Sequence, residues 1–527
     1  MATNLIQVLN AILLTSPHKV ALIHGTERIT YRELEERSCA VGAFFQANGV
    51  QPGQRALLLI PLGIEFYVFF LGLVRIGVAV VLIDPAVESA QIQACCQLAP
   101  PDLLVGSPKA HLLRLFNRAI RQIPRKFATA RGLPGTTFVN YRGGQRVCQD
   151  EVTTPDTPAL ITFTSGSTGR PKGICRTHGF LLQQHAVLCR TIPAQPDDVE
   201  MNTLPVFILS SLARGLTVVM PHSFRGRPTT VNAAAVIAEL QAHHVNRLLA
   251  APAFCRHLAD ELAATGQTLP TVERLYTGGG PVFPALFAQL QERLPNAAIT
   301  AVYGSTEAEP IAHVNLSILF PQDHQAMARG HGLLAGRPIA AIDLAILPDQ
   351  AGSPMGPFTE ECFAMARLPV NSVGEIVVSG AHVQKGYMGG DDGVTKFRVG
   401  ETIWHRTGDA GYLDSFGRLW LLGRSMGQGG EGTTVRYPFG IEAAAMSFAG
   451  VERAAYVEVD GVGILAVQAA RQQWPALAQK LHRALPAVTR IARVAAIPVD
   501  ARHGSKVRYG ALRAQLLAAP KMYATKM

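Results

Sequence analysis

Residues 55–83 read RALLLIPLGIEFYVFFLGLVRIGVAVVLI, and the way this stretch divides decides the fold. A membrane span needs about 20 unbroken apolar residues. Here Glu65 and Arg75 place charge inside the run, while Pro61, Gly63 and Gly77 interrupt it. The breaks leave a strand over 55–60, a helix over 65–76 and a strand over 79–83, each apolar enough to be buried. A second helix over 88–97 completes a βαβα rhythm. That rhythm predicts a mostly parallel sheet covered by helices on both faces, with no transmembrane segment.

Working outward, the pattern returns after Asp198, with strands expected over 215–220 and 247–249 and helices over 231–243 and 284–294. From 373 to 422 the apolar segments shorten and are punctuated by glycine, as in an antiparallel subdomain closing a larger body. After Arg424 comes GQGGEG (427–432) and then about a hundred residues with a fresh alternation. The expected architecture is α/β. A large N-terminal domain, 1–423, has mostly parallel sheets with helices plus a small antiparallel β subdomain. A hinge near Arg424 and Ser425 leads to a small mobile α+β C-terminal domain, 424–527. A length of 527 residues suits two to four domains at roughly 150 residues each.

Composition narrows the class. Apolar residues are 48% and charged residues 16% of the chain, which excludes a disordered or fibrous protein. The formal charge of +10 is local, because nine basic and no acidic residues lie between Leu103 and Gln149. No nucleic-acid-binding module accompanies that excess, so no nucleic-acid partner is expected. The eight cysteines show neither a C-x-x-C pair nor histidines at zinc spacing, as expected of reduced thiols. No basic residue precedes the short apolar run at the N-terminus, which argues against a secretory signal and for a cytoplasmic location.

The densest chemical signal is ITFTSGSTGRPKG, Ile161 to Gly173, a glycine- and hydroxyl-rich loop directly after a short apolar strand. Gly166, Gly169 and Gly173 let backbone approach an anion closely; Thr164, Ser165, Ser167 and Thr168 offer hydroxyl donors, and Lys172 offers charge. The spacing is not that of the common P-loop, which sets Gly-Lys-Ser/Thr after four spacers. The loop resembles the signature of the adenylate-forming superfamily: acyl-CoA synthetases, peptide-synthetase adenylation domains, luciferases and their relatives.

The resemblance continues in order along the chain. YTGGGPV (276–282), with Gly279 and Gly280, is similar to the family's adenine-side loop, and YGSTEAEP (303–310) to its central nucleotide motif. It implies that Tyr303 stacks on adenine beside Gly304 and Ser305, that Thr306 holds the α-phosphate, and that Glu307 binds Mg2+. An aromatic face, a hydroxyl and a carboxylate suit those tasks. In WHRTGD (404–409) Asp409 would accept both ribose hydroxyls, with Arg424 of LLGRS as the second ribose contact. In HGSKVRY (503–509) Lys506 would be the mobile catalytic lysine, bridging the substrate carboxylate and the α-phosphate. The implied catalytic set is Lys506, Thr306 and Lys172, with ATP and Mg2+ as cofactors and a small carboxylic acid as substrate. Neither His178 nor His405 is expected to be catalytic.

The chain departs from the family after the hinge. Where a Lys-Asp pair usually follows, Met426 and Gly427 stand here, so use of CoA stays open. STEAEPIAHV (305–314), WHRTGDAGYLDSFGRLWLLGR (404–424) and EGTTVRYPFGIEA (431–443) resemble the β-lactone synthetases of bacterial olefin biosynthesis and the fatty-acid CoA-ligase-like proteins around them. That resemblance implies a β-hydroxy acid with long alkyl arms whose hydroxyl closes a lactone after adenylation. Thioester formation on CoA or an acyl-carrier protein is the alternative. LPVFILSSL (204–212) is expected beside the acyl pocket, or as helix core. Finally, Arg114, Arg118, Arg121 and Arg125 recur at helical spacing beside Leu112, Leu115, Phe116 and Ile120. They predict an amphipathic basic helix. It is either a solvated face or, within segment 109–146, a contact for anionic lipid, an acyl-carrier protein or a pathway enzyme.

Overall fold

The apolar stretch 55–83 folds as strand Arg55–Leu59, helix Ile64–Arg75 and strand Ala79–Val81. Every residue of the helix but Glu65 is buried. Its phenylalanines and valines are mediocre helix formers; burial of each large apolar side chain, worth roughly 1.5–3 kcal/mol, holds it instead. Arg75 tolerates the interior because it is paired with Glu35 and, at 2.8 Å, with Asp150.

The computed structural model describes residues 4–84, 87–143, 148–165, 171–223, 231–350, 352–390, 392–425, 437–459, 461–486, 488–500, 504–518 and 523–524. They form two compact units, residues 1–222 with 381–392 and residues 223–380 with 393–527.

In the first unit Arg55–Leu59 lies mid-sheet. On one side follow Leu103–Gly106, Arg125–Ala128 and Thr137–Phe138; on the other Ala79–Val81, Pro158–Ser165 and Pro171–Thr177. All neighbours are parallel except the last pair, an antiparallel hairpin. A second set of strands in this unit runs Val199–Asn202, Thr217–Met220, Val20–His24, Glu27–Thr30, with only the last pairing antiparallel. The core between these strands and helix Ile64–Arg75 holds Phe45, Tyr67, Phe69, Val74 and Leu212.

The basic segment does not make the single helix expected of it. Helix Pro108–Phe116 stops at Asn117, whose side-chain oxygen accepts the Ile120 N–H at 3.1 Å and starts a second helix, Arg118–Gln122. Arg125 then opens the strand Arg125–Ala128. A good N-cap residue and the parallel pairing of that strand with Leu103–Gly106 override the helical spacing of the arginines.

In the second unit Arg247–Ala250, Arg274–Gly278 and Ala298–Ser305 pair in parallel. The chain then turns antiparallel through Ala308–Asn315 and Leu333–Pro338 to Leu419–Arg424, Thr402–Leu413, Gly374–Ser379 and Asp343–Leu347. These strands are the antiparallel subdomain; they are not the short segments expected, since Thr402–Leu413 runs for 12 residues while the parallel strand Arg247–Ala250 has 4. Beyond them a separate four-stranded sheet, Arg453–Val459, Val462–Gln468, Arg490–Val494 and Tyr523–Ala524, carries its own apolar clusters. The fold is thus mixed α/β with a small C-terminal sheet. Among the described residues no helix is long and apolar enough to cross a membrane.

Candidate active site

The second unit brings together three residues separated by up to 121 positions in the chain (303 to 424). Asp409 and Arg424 face each other across adjacent antiparallel strands. The Arg424 Nη1 donates to Asp409 Oδ1 at 3.0 Å, and the Tyr303 hydroxyl donates to Asp409 Oδ2 at 2.9 Å. Thr407 steadies the carboxylate, since its Oγ1 accepts the Asp409 N–H at 3.0 Å and donates to the Ile376 carbonyl at 2.8 Å. Burial, and then the Asp409 charge, push the Tyr303 phenol well above its ordinary range, so it stays a donor. The Asp409 charge likewise holds the Arg424 guanidinium above its usual value. An ionised carboxylate has about four acceptor sites. Tyr303 and Arg424 take two, leaving capacity for a further pair of hydroxyl donors.

Gly408 is required for this geometry. It has φ +68, and a Cβ there would lie 2.8 Å from Arg424 Nη2. Tyr303 sits near the carboxyl end of a parallel strand, just before a register shift and a sharp return from Ser305 to Ala308. Thr306 and Glu307 occupy that return, half-buried, and Ser305 Oγ accepts the Glu307 N–H at 3.3 Å. The neighbouring parallel strand ends in Gly278, where a Cβ would approach the Val302 carbonyl to 2.4 Å. Gly279 follows with φ +80. The YTGGGPV and YGSTEAEP segments therefore lie side by side at the carboxyl ends of parallel strands, where α/β sheets commonly bind ligands.

Lys506 arrives at the same place from the C-terminal sheet. A Cβ at Gly280 would stand 2.2 Å from Ser505 Oγ, so the turn carrying Lys506 rests on the glycine loop. Asp500 shapes that turn: its carboxylate accepts the Lys506 N–H at 3.0 Å and its own N–H donates to the Lys506 carbonyl at 2.9 Å. Arg453 adds a bond to the Gly504 carbonyl at 3.3 Å. The Lys506 side chain itself is exposed.

In the first unit the strand that begins at Pro158 continues through Ser165, and a second begins at Pro171. Thr164 pairs with Lys172 across the hairpin. Gly166, Ser167, Thr168 and Gly169 lie outside the described residues, as do Met426, Gly427 and the rest of the glycine-rich stretch after the hinge. Lys172 Nζ stands 5.0 Å from the centre of the Tyr387 ring, a cation–π contact that a sequence separation of more than 200 residues conceals. The helix Pro205–Leu212 buries its last five residues. Where it faces Leu181, His185 and Leu188 it lines a small, partly open cavity of about 20 Å³. His185 Nδ1 lies 2.9 Å from Ser210 Oγ there.

Several positioning residues were not singled out in the sequence. Asp349 is buried and meets both flanks of the stretch 426–436: one carboxylate oxygen accepts from Ser425 Oγ and the other from the Tyr437 hydroxyl at 2.9 Å. Asp500 had a weak local signal, an aspartate six residues before Lys506 where Asx-type turns form. Asp349, Thr407 and Tyr387 had none. His178 is buried and accepts the Leu5 N–H at 3.4 Å, with burial lowering its pKa to about 4. His405 is also buried, 3.2 Å from the Thr395 carbonyl.

Comparison with known proteins identifies the class. The chain belongs to the AMP-binding enzyme family, which it matches over residues 12–388, and it is an AMP-forming ligase that activates carboxylates as adenylates. It is 31% identical over 508 residues to an olefin beta-lactone synthetase of Stenotrophomonas maltophilia (strain K279a), covering 91% of this chain and 89% of that protein. It is 30% identical over 517 residues, with the same coverage, to an olefin beta-lactone synthetase of Xanthomonas campestris pv. campestris. Among solved structures, an anthranilate CoA ligase in complex with anthranoyl-AMP superposes with a TM-score of 0.81 at 17% identity, covering 98% of both chains. That likeness establishes the shared fold.

Proposed function

We propose that this enzyme adenylates a long-chain β-hydroxy acid and then closes it to a β-lactone. The observation that carries the reading is the alignment with two olefin beta-lactone synthetases at 31% and 30% identity over nine-tenths of the chain. In the first step a carboxylate oxygen attacks the α-phosphorus of ATP, and the bond to the pyrophosphate oxygen breaks. In the second the substrate's own hydroxyl oxygen attacks the activated carbonyl, AMP leaves and the hydroxyl proton goes to solvent.

The residues would divide the work as follows. Asp409 and Arg424 hold the ribose, Tyr303 offers its ring to adenine, and Thr306 contacts the α-phosphate. Thr164, Lys172 and the hydroxyl and glycine residues between them in sequence would contact the outer phosphates. Lys506 neutralises charge as it builds at phosphorus, a task suited to a point charge. Glu307 is a half-buried carboxylate, and Mg2+ is ordinarily held by one or two carboxylates with substrate phosphates completing the shell; the donor set fits. When bound, that ion neutralises phosphate charge. Residues 424–527 would turn about Ser425, carrying Lys506 away from Gly280 between the two steps.

Ring closure needs no second substrate, so CoA is dispensable under this reading. The test is pyrophosphate release with a long-chain fatty acid and with a β-hydroxy-α-alkyl acid, each with and without CoA, followed by mass spectrometry. Turnover of the hydroxy acid without CoA, giving a product one water lighter, is expected. Strict dependence on CoA or on a carrier protein, with a thioester product, would overturn lactone formation and leave adenylation standing.

A further inference from the structure

The basic segment presents an apolar face to solvent. In the helix Pro108–Phe116 the buried residues are Ala110 and His111, the latter held 3.0 Å from the Phe127 carbonyl through Nε2. Leu112, Leu115 and Phe116 are 56%, 68% and 80% exposed. At 100° per residue these three and Lys109 share one arc of about 120°, opposite the buried pair. Large apolar residues scattered singly on a surface are ordinary, but three on one helix face mark a contact.

The surroundings say what kind. No Asp or Glu occurs between Leu103 and Gln149, against nine Lys and Arg. The helix that follows directly exposes Arg118 and Arg121. Two further arginines spend their hydrogen bonds on carbonyls, Arg114 on Pro134 and Arg125 on Gly49, so their charge is not cancelled there by a carboxylate. Phe116 stands at the end of its helix, 80% exposed, a projecting side chain rather than the wall of a groove. Exposed apolar side chains followed within five residues by exposed cations match an interface with apolar depth below a layer of negative charge.

We propose that the face formed by Leu112, Leu115 and Phe116, with Lys109, Arg118 and Arg121, docks on an anionic lipid bilayer. The apolar side chains enter the boundary between headgroups and acyl chains, and the cations meet lipid phosphates. This is independent of which acid the enzyme activates.

The test is sedimentation of the full chain with vesicles of phosphatidylcholine alone, and with vesicles containing about a quarter phosphatidylglycerol, at low and high salt. Retention is expected on the anionic vesicles only, weakening as salt rises. Each cation near such a surface is worth about fivefold in partitioning, so R118A/R121A should bind roughly thirtyfold more weakly. L115S/F116S should lose at least tenfold. Both variants alter exposed side chains, and an unchanged melting midpoint checks their folding. Absence of retention on anionic vesicles would overturn the proposal. So would retention that L115S/F116S leaves intact, which is bulk charge attraction, or capture of an acidic carrier protein by this face without vesicle binding.

Discussion

Glu442 offers the sharpest test of the physical reasoning. It lies in helix Pro438–Met446 and is only 1% exposed. One oxygen, Oε1, accepts both the Tyr456 N–H and the Tyr509 hydroxyl, each at 2.9 Å, tying the helix to the first strand and last helix of the C-terminal sheet. Burial pushes this carboxyl up to about 7 from an ordinary 4.5, and the two donors only partly oppose it. The folded protein therefore keeps a proton that the unfolded chain gives up. Its contribution is most favourable below the unfolded value, declines as pH rises from 4.5 to about 7, and is flat above. At 1.36 kcal/mol per unit the whole span is worth about 3 kcal/mol. Glu442→Gln copies the protonated form, with its amide oxygen free to accept both bonds. Wild type and variant should be nearly equal near pH 4, and the variant more stable by up to about 3 kcal/mol near pH 8. Urea unfolding of both proteins across that range reads the difference directly, and groups common to both cancel. A gap that does not change with pH, or a variant less stable at pH 8, would mean the two donors hold the carboxylate ionised and that burial is not the dominant influence.

Other expectations follow from the site. Lys506→Ala should lower substrate-dependent pyrophosphate release by about a hundred- to a thousandfold, with nucleotide binding by calorimetry nearly unchanged. Asp409→Ala removes the shared acceptor of Tyr303 and Arg424 and should weaken ATP binding about five- to a hundredfold; unaltered affinity would dissolve the ribose assignment. Gly408→Ala must adopt φ +68 and push against Arg424 at 2.8 Å. It should cost about 1–2 kcal/mol in stability and weaken ATP binding as well. Asp349→Ala strips an acceptor from Ser425 and Tyr437, and should lower stability by roughly 1–3 kcal/mol, read as a lower urea midpoint.

The elements that periodicity and punctuation specify locally could be read from the chain. Residues 55–83 broke where Pro61, Gly63 and Gly77 stand, and helix Pro284–Arg293 and strand Arg247–Ala250 matched their apolar patterns to within a residue. The basic segment misled because arginine spacing carries no information about the sheet that claims Arg125, and Asn117 reads as an ordinary polar residue until it caps. The site divides in the same way. Motif residues such as Tyr303, Asp409 and Arg424 announce themselves by their neighbours in sequence. Asp349 and Tyr387 act across 76 and 215 positions respectively, on Ser425 and Lys172, and only tertiary contact reveals them.

The fit between Gly280 and Ser505 also bears on how such an enzyme can change by descent. A single methyl at 280 would overlap Ser505 Oγ, which must rotate aside, and would still crowd Ser505 Cβ at 3.1 Å, so the Lys506 turn would seat less closely there. It would touch neither the Tyr303–Asp409–Arg424 cluster nor the sheets. If Lys506 serves the first step as proposed, one base change at that glycine codon would slow turnover by unseating the lysine while leaving the sheets and the Tyr303–Asp409–Arg424 contacts as they are.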